Sequence, residues 1–190
     1  CQVTLADDDV ASPTVVVVVG VGGNPEYQEQ ISDWAKRWRE AAERANANYH
    51  ELGLGEEDAK GDRTELQKVL QHDAESKSSA LWLVMIGHGT FFRDVAKFNL
   101  RGKDVTATEL AKWLEPIRRP VVVINCASAS GPFINRLSAP DRIVITGTKS
   151  GAEQNFAHFG KFMSQAVVDA SADLDHDDAI SLLEAFLSAS

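Results

Sequence analysis

Cysteine is nearly absent from this chain: positions 1 and 126 hold the two there are. One lies on a polar tail and the other ends an apolar run in the body of the chain, so they do not make a disulfide framework. Basic charge is also short, with 19 Lys and Arg against 28 Asp and Glu and a net charge of -9. A nucleic-acid binder needs a basic surface, and that class of partner is excluded. Long apolar runs are missing as well. None nears the roughly 18 residues of a membrane helix, and the longest, Val15 to Val19 with its flanks, suits a strand. Internal repeats and low-complexity blocks are absent. The remainder, 190 residues at 44% hydrophobic and 25% charged, is ordinary for a globular protein. It is long enough to bury one core without metal or disulfide staples.

Along the chain, residues 1–12 read as an acidic tether ending at Ser12-Pro13. Cys1 followed by Gln2 and Asp7-Asp8-Asp9 resembles a processed bacterial lipoprotein. That implies an extracytoplasmic place, periplasmic or lipid-anchored, with membrane contact only through a lipid on Cys1; a fragment boundary accounts for Cys1 equally well. Thr14 to Val19 is β-branched and uninterrupted, as a central strand is. After Gly20-Val21-Gly22-Gly23, with Asn24 as a cap and Pro25 in the first turn, the spacing of Ile31, Trp34, Ala35 and Trp38 predicts a helix to about Ala45. A short strand is expected at Tyr49 to Leu54, and an acidic loop at Gly55 to Gly61.

Asp62 opens a second helix, with Glu65 at capping-box spacing. Leu81 to Ile86 is a buried strand, and Lys97 to Leu100 a small edge strand or hairpin. Thr106 and Glu109 repeat the capping-box spacing. Pro120 to Asn125 and Arg142 to Thr146 are further strands, separated by a short helix around Phe133 to Leu137. A final long helix is expected from Phe156 to about Ala170. Strands alternating with helices give an α/β fold with a mainly parallel sheet covered on both faces.

A buried parallel strand delivers its last residues to the carboxyl edge of the sheet, where ligands of open α/β proteins sit. His88, flanked by Gly87 and Gly89, follows one such strand, and Cys126 follows the next. A thiol nucleophile needs a nearby base for its proton and backbone amides aimed at the oxyanion. Cys126 and His88 supply the first pair, the amides of Gly89 and Cys126 the second. The small residues around them, Ala127 and Ser128 included, let a peptide backbone approach. Taken alone, such a cysteine is more often a small buried hydrophobe and such a histidine a structural hydrogen-bonder; it is their shared position at two strand ends that raises the pair.

With a His-Gly after one strand and a cysteine thirty-eight positions later after the next, the chain resembles the caspase, legumain and gingipain superfamily of cysteine peptidases. The likeness is nearest to bacterial legumain-like, caspase-fold proteins and covers about Pro13 to Ala170. The resemblance implies a caspase-like three-layer αβα sandwich and a cysteine endopeptidase that cleaves peptide or protein substrates through a Cys126/His88 dyad, with no cofactor for catalysis. Ile145 to Phe156 resembles the segment that lines the legumain specificity pocket, which implies substrate contacts from Ser150 and Glu153 beside Ser128. Ile124-Asn125 before the cysteine and Ala127-Ser128 after it depart from the caspase pattern, so aspartate specificity does not carry over. The alternative is a non-catalytic caspase-fold module that binds partners, tethered to a membrane through Cys1. On this reading residues 13–171 are the peptidase domain.

Residues 172–190 form a second constellation. Asp173-Leu174-Asp175-His176-Asp177-Asp178-Ala179-Ile180-Ser181-Leu182-Leu183-Glu184 resembles an EF-hand calcium loop followed by a short helix. Oxygen ligands fall at Asp173, Asp175, Asp177, Ser181 and Glu184, with the Ala179 carbonyl between them, a set suited to Ca²⁺. Asp178 stands where such loops have glycine, because the turn there is left-handed. The competing reading is an acidic helix start. The glycines at 20, 22 and 23 lack the third member of a dinucleotide loop, and Ser128 and Ser130 do not form a G-x-S-x-G elbow.

Overall fold

The computed structural model describes residues 11–23, 25–55, 61–153 and 158–190. Cys1 with most of the acidic tether, the Asn24 cap, most of the loop before Asp62 and the expected start of the last long helix lie outside them. Among the described residues five parallel strands make the central sheet: β1 (Thr14–Val19), β2 (Asn48–Leu52), β3 (Leu81–Ile86), β7 (Val121–Asn125) and β8 (Arg142–Thr146), in the spatial order β2-β1-β3-β7-β8. The register pairs Val19 with Ile86 and Met85 with Asn125, so the strands end together at one edge. A smaller antiparallel sheet, β4 (Gly89–Phe92), β5 (Val95–Phe98) and β6 (Val105–Thr106), fills the connection from β3 to β7. The sequence led to a single small strand or hairpin in this stretch.

The side-chain alternation of the strands divides the core in two. Val16, Val18, Leu83, Met85 and Val123 face helices α2 (Asp62–Ala74) and α3 (Ala107–Leu114), with α4 (Phe133–Leu137) adding Phe133 and Leu137. Val15, Val17, Val19, Ile86 and Ile124 face α1 (Pro25–Arg44), α5 (Phe159–Ala166) and α6 (Leu182–Ala189). Each Val, Ile or Leu buried in this way stabilises by roughly 1.5–3 kcal/mol. Both faces covered is the condition for a buried parallel sheet and explains the unbroken apolar runs. The C-terminal helix shares this core through Ala185 and Ala189. No helix among the described residues is long and apolar enough to cross a membrane.

Two of the helix starts are instructive. At α3 the capping box forms: Thr106 Oγ1 accepts from the Glu109 amide at 3.1 Å, and Glu109 Oε2 accepts from the Thr106 amide at 3.0 Å. At α2 the spaced Asp62 and Glu65 do not form one. The cap position is Gly61, and the Asp62 carboxylate instead takes a two-point ion pair from Arg101 at 2.7 and 2.8 Å. The last long helix is also shorter than expected. α5 gives way after Ala166, and the Asp169 side chain accepts from the Ser171 amide to set up a separate 3-10 turn, Ala170–Ala172.

The hydrogen bonds from Thr106, with Arg63 beside it, hold the Glu109 carboxyl down at about 2, below its ordinary 4.5. A lowered folded-state value means that the stabilisation is complete above pH 4.5 and is lost as pH falls through about 2. Thr106→Ala is expected to cost about 1 kcal/mol at pH 7. Urea unfolding of Glu109→Gln should show a deficit against wild type at pH 7 that narrows between pH 4.5 and 2; a deficit independent of pH would remove the carboxylate from the cap.

Candidate active site

The common edge of β1, β3 and β7 carries the candidate chemistry. Gly87, at φ 154°, turns the chain off β3 where a side chain would press on the Gly20 backbone at 3.1–3.3 Å. That close approach sets His88 against the loop between β1 and α1. His88 Nε2 lies 3.1 Å from the Gly22 carbonyl oxygen, the ring stands edge-on to Tyr27 at 6.3 Å, and Gly23 leaves room for it. A carbonyl only accepts, so Nε2 carries the proton of the neutral ring and Nδ1 is left as the base. Nδ1 faces Ser128 Oγ at 3.3 Å.

The structure thus brings His88 together with Ser128, and it packs Cys126 into the core. Cys126 is still in register with the sheet: its amide donates to the Met85 carbonyl at 2.8 Å, and its side chain follows Val122 and Ile124 onto the face covered by α1 and α5. It is 1% exposed beneath Trp34 and Gly160, where a Cβ on Gly160 would sit 2.9 Å from the Cys126 Cβ. Burial pushes the thiol up to about 12. A thiol so placed packs as a core residue, and the side chain that the structure sets against His88 is that of Ser128. The expected oxyanion pair changes for the same reason, because the Cys126 amide belongs to the sheet ladder. The Gly89 amide remains at the site, donating to Ser128 Oγ at 3.2 Å. The Ser128 hydroxyl has two acceptors within reach, His88 Nδ1 and the Gly89 carbonyl, each at 3.3 Å.

Ser128, expected as a small residue in contact with substrate, is found hydrogen-bonded to His88. Its signal is the strand period. Residues 122, 124 and 126 share one face of β7 and its extension, so the first side chain free of the sheet lies beyond Ala127.

The loop after β8 walls the same edge. The Ala129 amide donates to the Glu153 carbonyl at 2.7 Å, and Ser130 Oγ meets Thr148 Oγ1 at 3.2 Å. Ser150 and Glu153, expected to touch substrate, are tied to each other: one Glu153 carboxylate oxygen accepts from the Lys149 amide, the Ser150 amide and the Ser150 hydroxyl at 2.9–3.1 Å. That oxygen holds the shape of its own loop.

The C-terminal acidic residues do gather. One carboxylate oxygen from each of Asp173, Asp175 and Asp177 lies within 4.8 Å of the others. Asp178 takes φ 67°, the left-handed turn that its position in such a loop needs. Repulsion from Asp177, with Glu184 and Asp173 behind it, raises the Asp175 carboxyl. Ser181 and Glu184 form a capping box at the start of α6, and Glu184 Oε1 reaches back to the Leu174 and Asp175 amides at 2.8 and 3.2 Å. The hydrogen bonds from Ser181 and these amides hold its carboxyl at about 2. Glu184 thereby closes the loop onto the helix.

No protein-family model matches this chain, and no curated protein sequence does. Among solved structures, the crystal structure of the Drosophila initiator caspase Dronc superposes with a TM-score of 0.54 at 12% identity, covering 90% of this chain and 75% of that one. The crystal structure of Chaetomium thermophilum Raptor superposes with a TM-score of 0.53 at 7% identity, covering 83% of this chain and 17% of that one. At these identities the likeness shows the fold alone, and that fold is caspase-like, a parallel sheet between two helical layers.

Proposed function

We propose that this chain is a peptide-bond hydrolase of caspase-like fold in which Ser128 is the nucleophile and His88 the general acid and base. One observation carries the reading: the Nδ1 of a histidine whose Nε2 is committed to the Gly22 carbonyl stands 3.3 Å from a serine hydroxyl. Ser128 Oγ attacks the substrate carbonyl carbon as its proton passes to Nδ1. The negative charge gathers on the substrate oxygen, which takes over the Gly89 amide from Ser128 Oγ as that oxygen becomes the ester oxygen. The C–N bond then breaks, with Nδ1 returning the proton to the leaving amine, and water releases the acyl group from Ser128 by the same steps in reverse.

The competing reading is a non-catalytic module. It draws on the 1% exposure of Ser128 and on the hold that both polar groups of Gly89 have on its hydroxyl, which would also serve to pin β4 to the loop after β7. Digestion of a peptide library separates the two. The hydrolase reading expects internal cleavage by the wild type and loss of it in both His88→Ala and Ser128→Ala, with the folds intact by circular dichroism. Cleavage that survives Ser128→Ala, or none by the wild type, sinks it.

We further propose that the loop from Asp173 to Glu184 holds Ca²⁺, through Asp173, Asp175, Asp177, the Ala179 carbonyl, Ser181 and Glu184. The donors are hard oxygens and the left-handed Asp178 supplies the turn. Free Ca²⁺ at about a hundred times its Kd would add about 2.7 kcal/mol. That raises the Tm of a chain this size by roughly 5–10 °C, and Asp175→Ala should remove the rise. An unchanged Tm in millimolar Ca²⁺ against chelator would contradict the site.

A further inference from the structure

The His88 edge is one end of the sheet; the other end holds a cleft that neither His88 nor Ser128 lines. It measures about 600 Å³ and lies where α3, the end of α4 and the first residues of β7 and β8 meet. Its floor is apolar, from Ala111, Ile117 and Val121. Its walls are cationic. Lys112, Arg118, Arg136 and Arg142 all line it, against the carboxylates of Glu115 and Asp141, on a chain whose net charge is -9. Arg119 lines it too, but its charge is matched by the ion pair with Asp73.

Arg142 marks the cleft as more than a surface patch. Its guanidinium is half-buried and held by two backbone carbonyls, Leu137 O at 2.8 Å and Leu114 O at 3.3 Å. Its Nε is buried with no hydrogen-bond partner among the described residues. None of Lys112, Arg118, Arg136 and Arg142 is in an ion pair there. Burying a cation without a counter-charge is unfavourable, and an anion in the cleft would remove that penalty. Burial lowers the Arg142 pKa, which is the same penalty seen from the protonation side.

We infer that this cleft is a binding site for a small phosphate-bearing anion. Planar guanidinium forks match phosphate oxygens two at a time, and Arg118 and Arg136 line one space with Lys112, while Arg142, whose fork is held by the Leu137 and Leu114 carbonyls, adds its charge behind them. The volume is that of a small-ligand pocket, and its apolar floor suits the organic part of a phosphate ester.

The probe is inorganic pyrophosphate, titrated calorimetrically into the full chain at ionic strength fixed with sodium chloride. The expected result is a saturable one-to-one isotherm. Arg118→Glu and Arg136→Glu, both at exposed positions, should each weaken it at least tenfold while Tm holds. Lys36→Glu, an exposed charge on α1, should leave it unchanged. Equal affinity in the arginine variants and the wild type, or no saturation by about 10 mM, would overturn the site. An oligoglutamate peptide of matched charge that binds more tightly than pyrophosphate would overturn the phosphate assignment. Peptide cleavage by these variants is expected to match wild type, so failure here is separate from failure of the hydrolase reading.

Discussion

Ser128→Cys is expected to be alkylated by iodoacetamide at position 128 faster than the wild type is at Cys126, because His88 faces position 128 and the apolar core surrounds Cys126. Two thiols in one chain would then differ only in where the fold puts them. Cys126 is 1% exposed and its thiol is pushed up to about 12 by burial. At pH 7.5 its thiolate fraction is some three orders of magnitude below that of an ordinary thiol near 8.5. A thiol at 128 would be as buried as Cys126, since Ser128 is also 1% exposed, and differs in having the Nδ1 of His88 in front of it with that ring held by the Gly22 carbonyl. Imidazole beside a thiol favours the thiolate and its reactivity. Mass spectrometry of timed, quenched samples reads both sites at once. Alkylation of native Cys126 at the rate of a free thiol would show that the sulfur is reachable, and the assignment of Ser128 would fall with that result.

Gly89→Ala is expected to lower kcat/KM at least a hundredfold. Space is the reason. A Cβ at 89 would overlap the Ser128 carbonyl oxygen and stand 3.0 Å from that of Lys97. Both are backbone atoms, so relief comes only by separating β4 from the loop that carries Ser128. A shift of about 1 Å at a reacting centre can cost a hundredfold in rate, and overpacking adds roughly 1–3 kcal/mol of destabilisation. Kinetics with a cleaved peptide, beside urea unfolding, give the two effects separately. Wild-type kcat/KM in a folded Gly89→Ala protein would show that the contact between Gly89 and Ser128 is irrelevant to turnover.

The contrast between Cys126 and Ser128 also shows what the sequence discloses. Apolar runs and their terminators are local, and they place β3, β7 and β8 at or within a residue of where the structure has them; α4 falls on Phe133–Leu137. The Thr106 and Glu109 cap is local too, and it forms. The paired Asp62 and Glu65 fail because Arg101, 39 residues on, claims the aspartate. No local spacing carries that information. At the candidate edge the sequence places the ends of β3 and β7, and with them His88, where the structure has them. The shared position of His88 and Cys126 at two strand ends pointed to Cys126 as the partner of His88, while the two-residue period of β7 sends that side chain into the core with Ile124. Likewise the stretch Ile145 to Phe156 suggested substrate contacts from Ser150 and Glu153, but the folding of Glu153 back onto Ser150 depends on a loop geometry that spacing alone does not give.

The pairing of Ser128 with His88 is tested most directly by covalent labelling of the native wild type. A serine-directed fluorophosphonate is added, the protein is digested, and the modified residue is identified by mass spectrometry. The expected result is one adduct, on Ser128, absent from His88→Ala and from protein unfolded before labelling. An adduct on another residue, or an intact Ser128 in a protein that still cleaves peptides, would contradict the account.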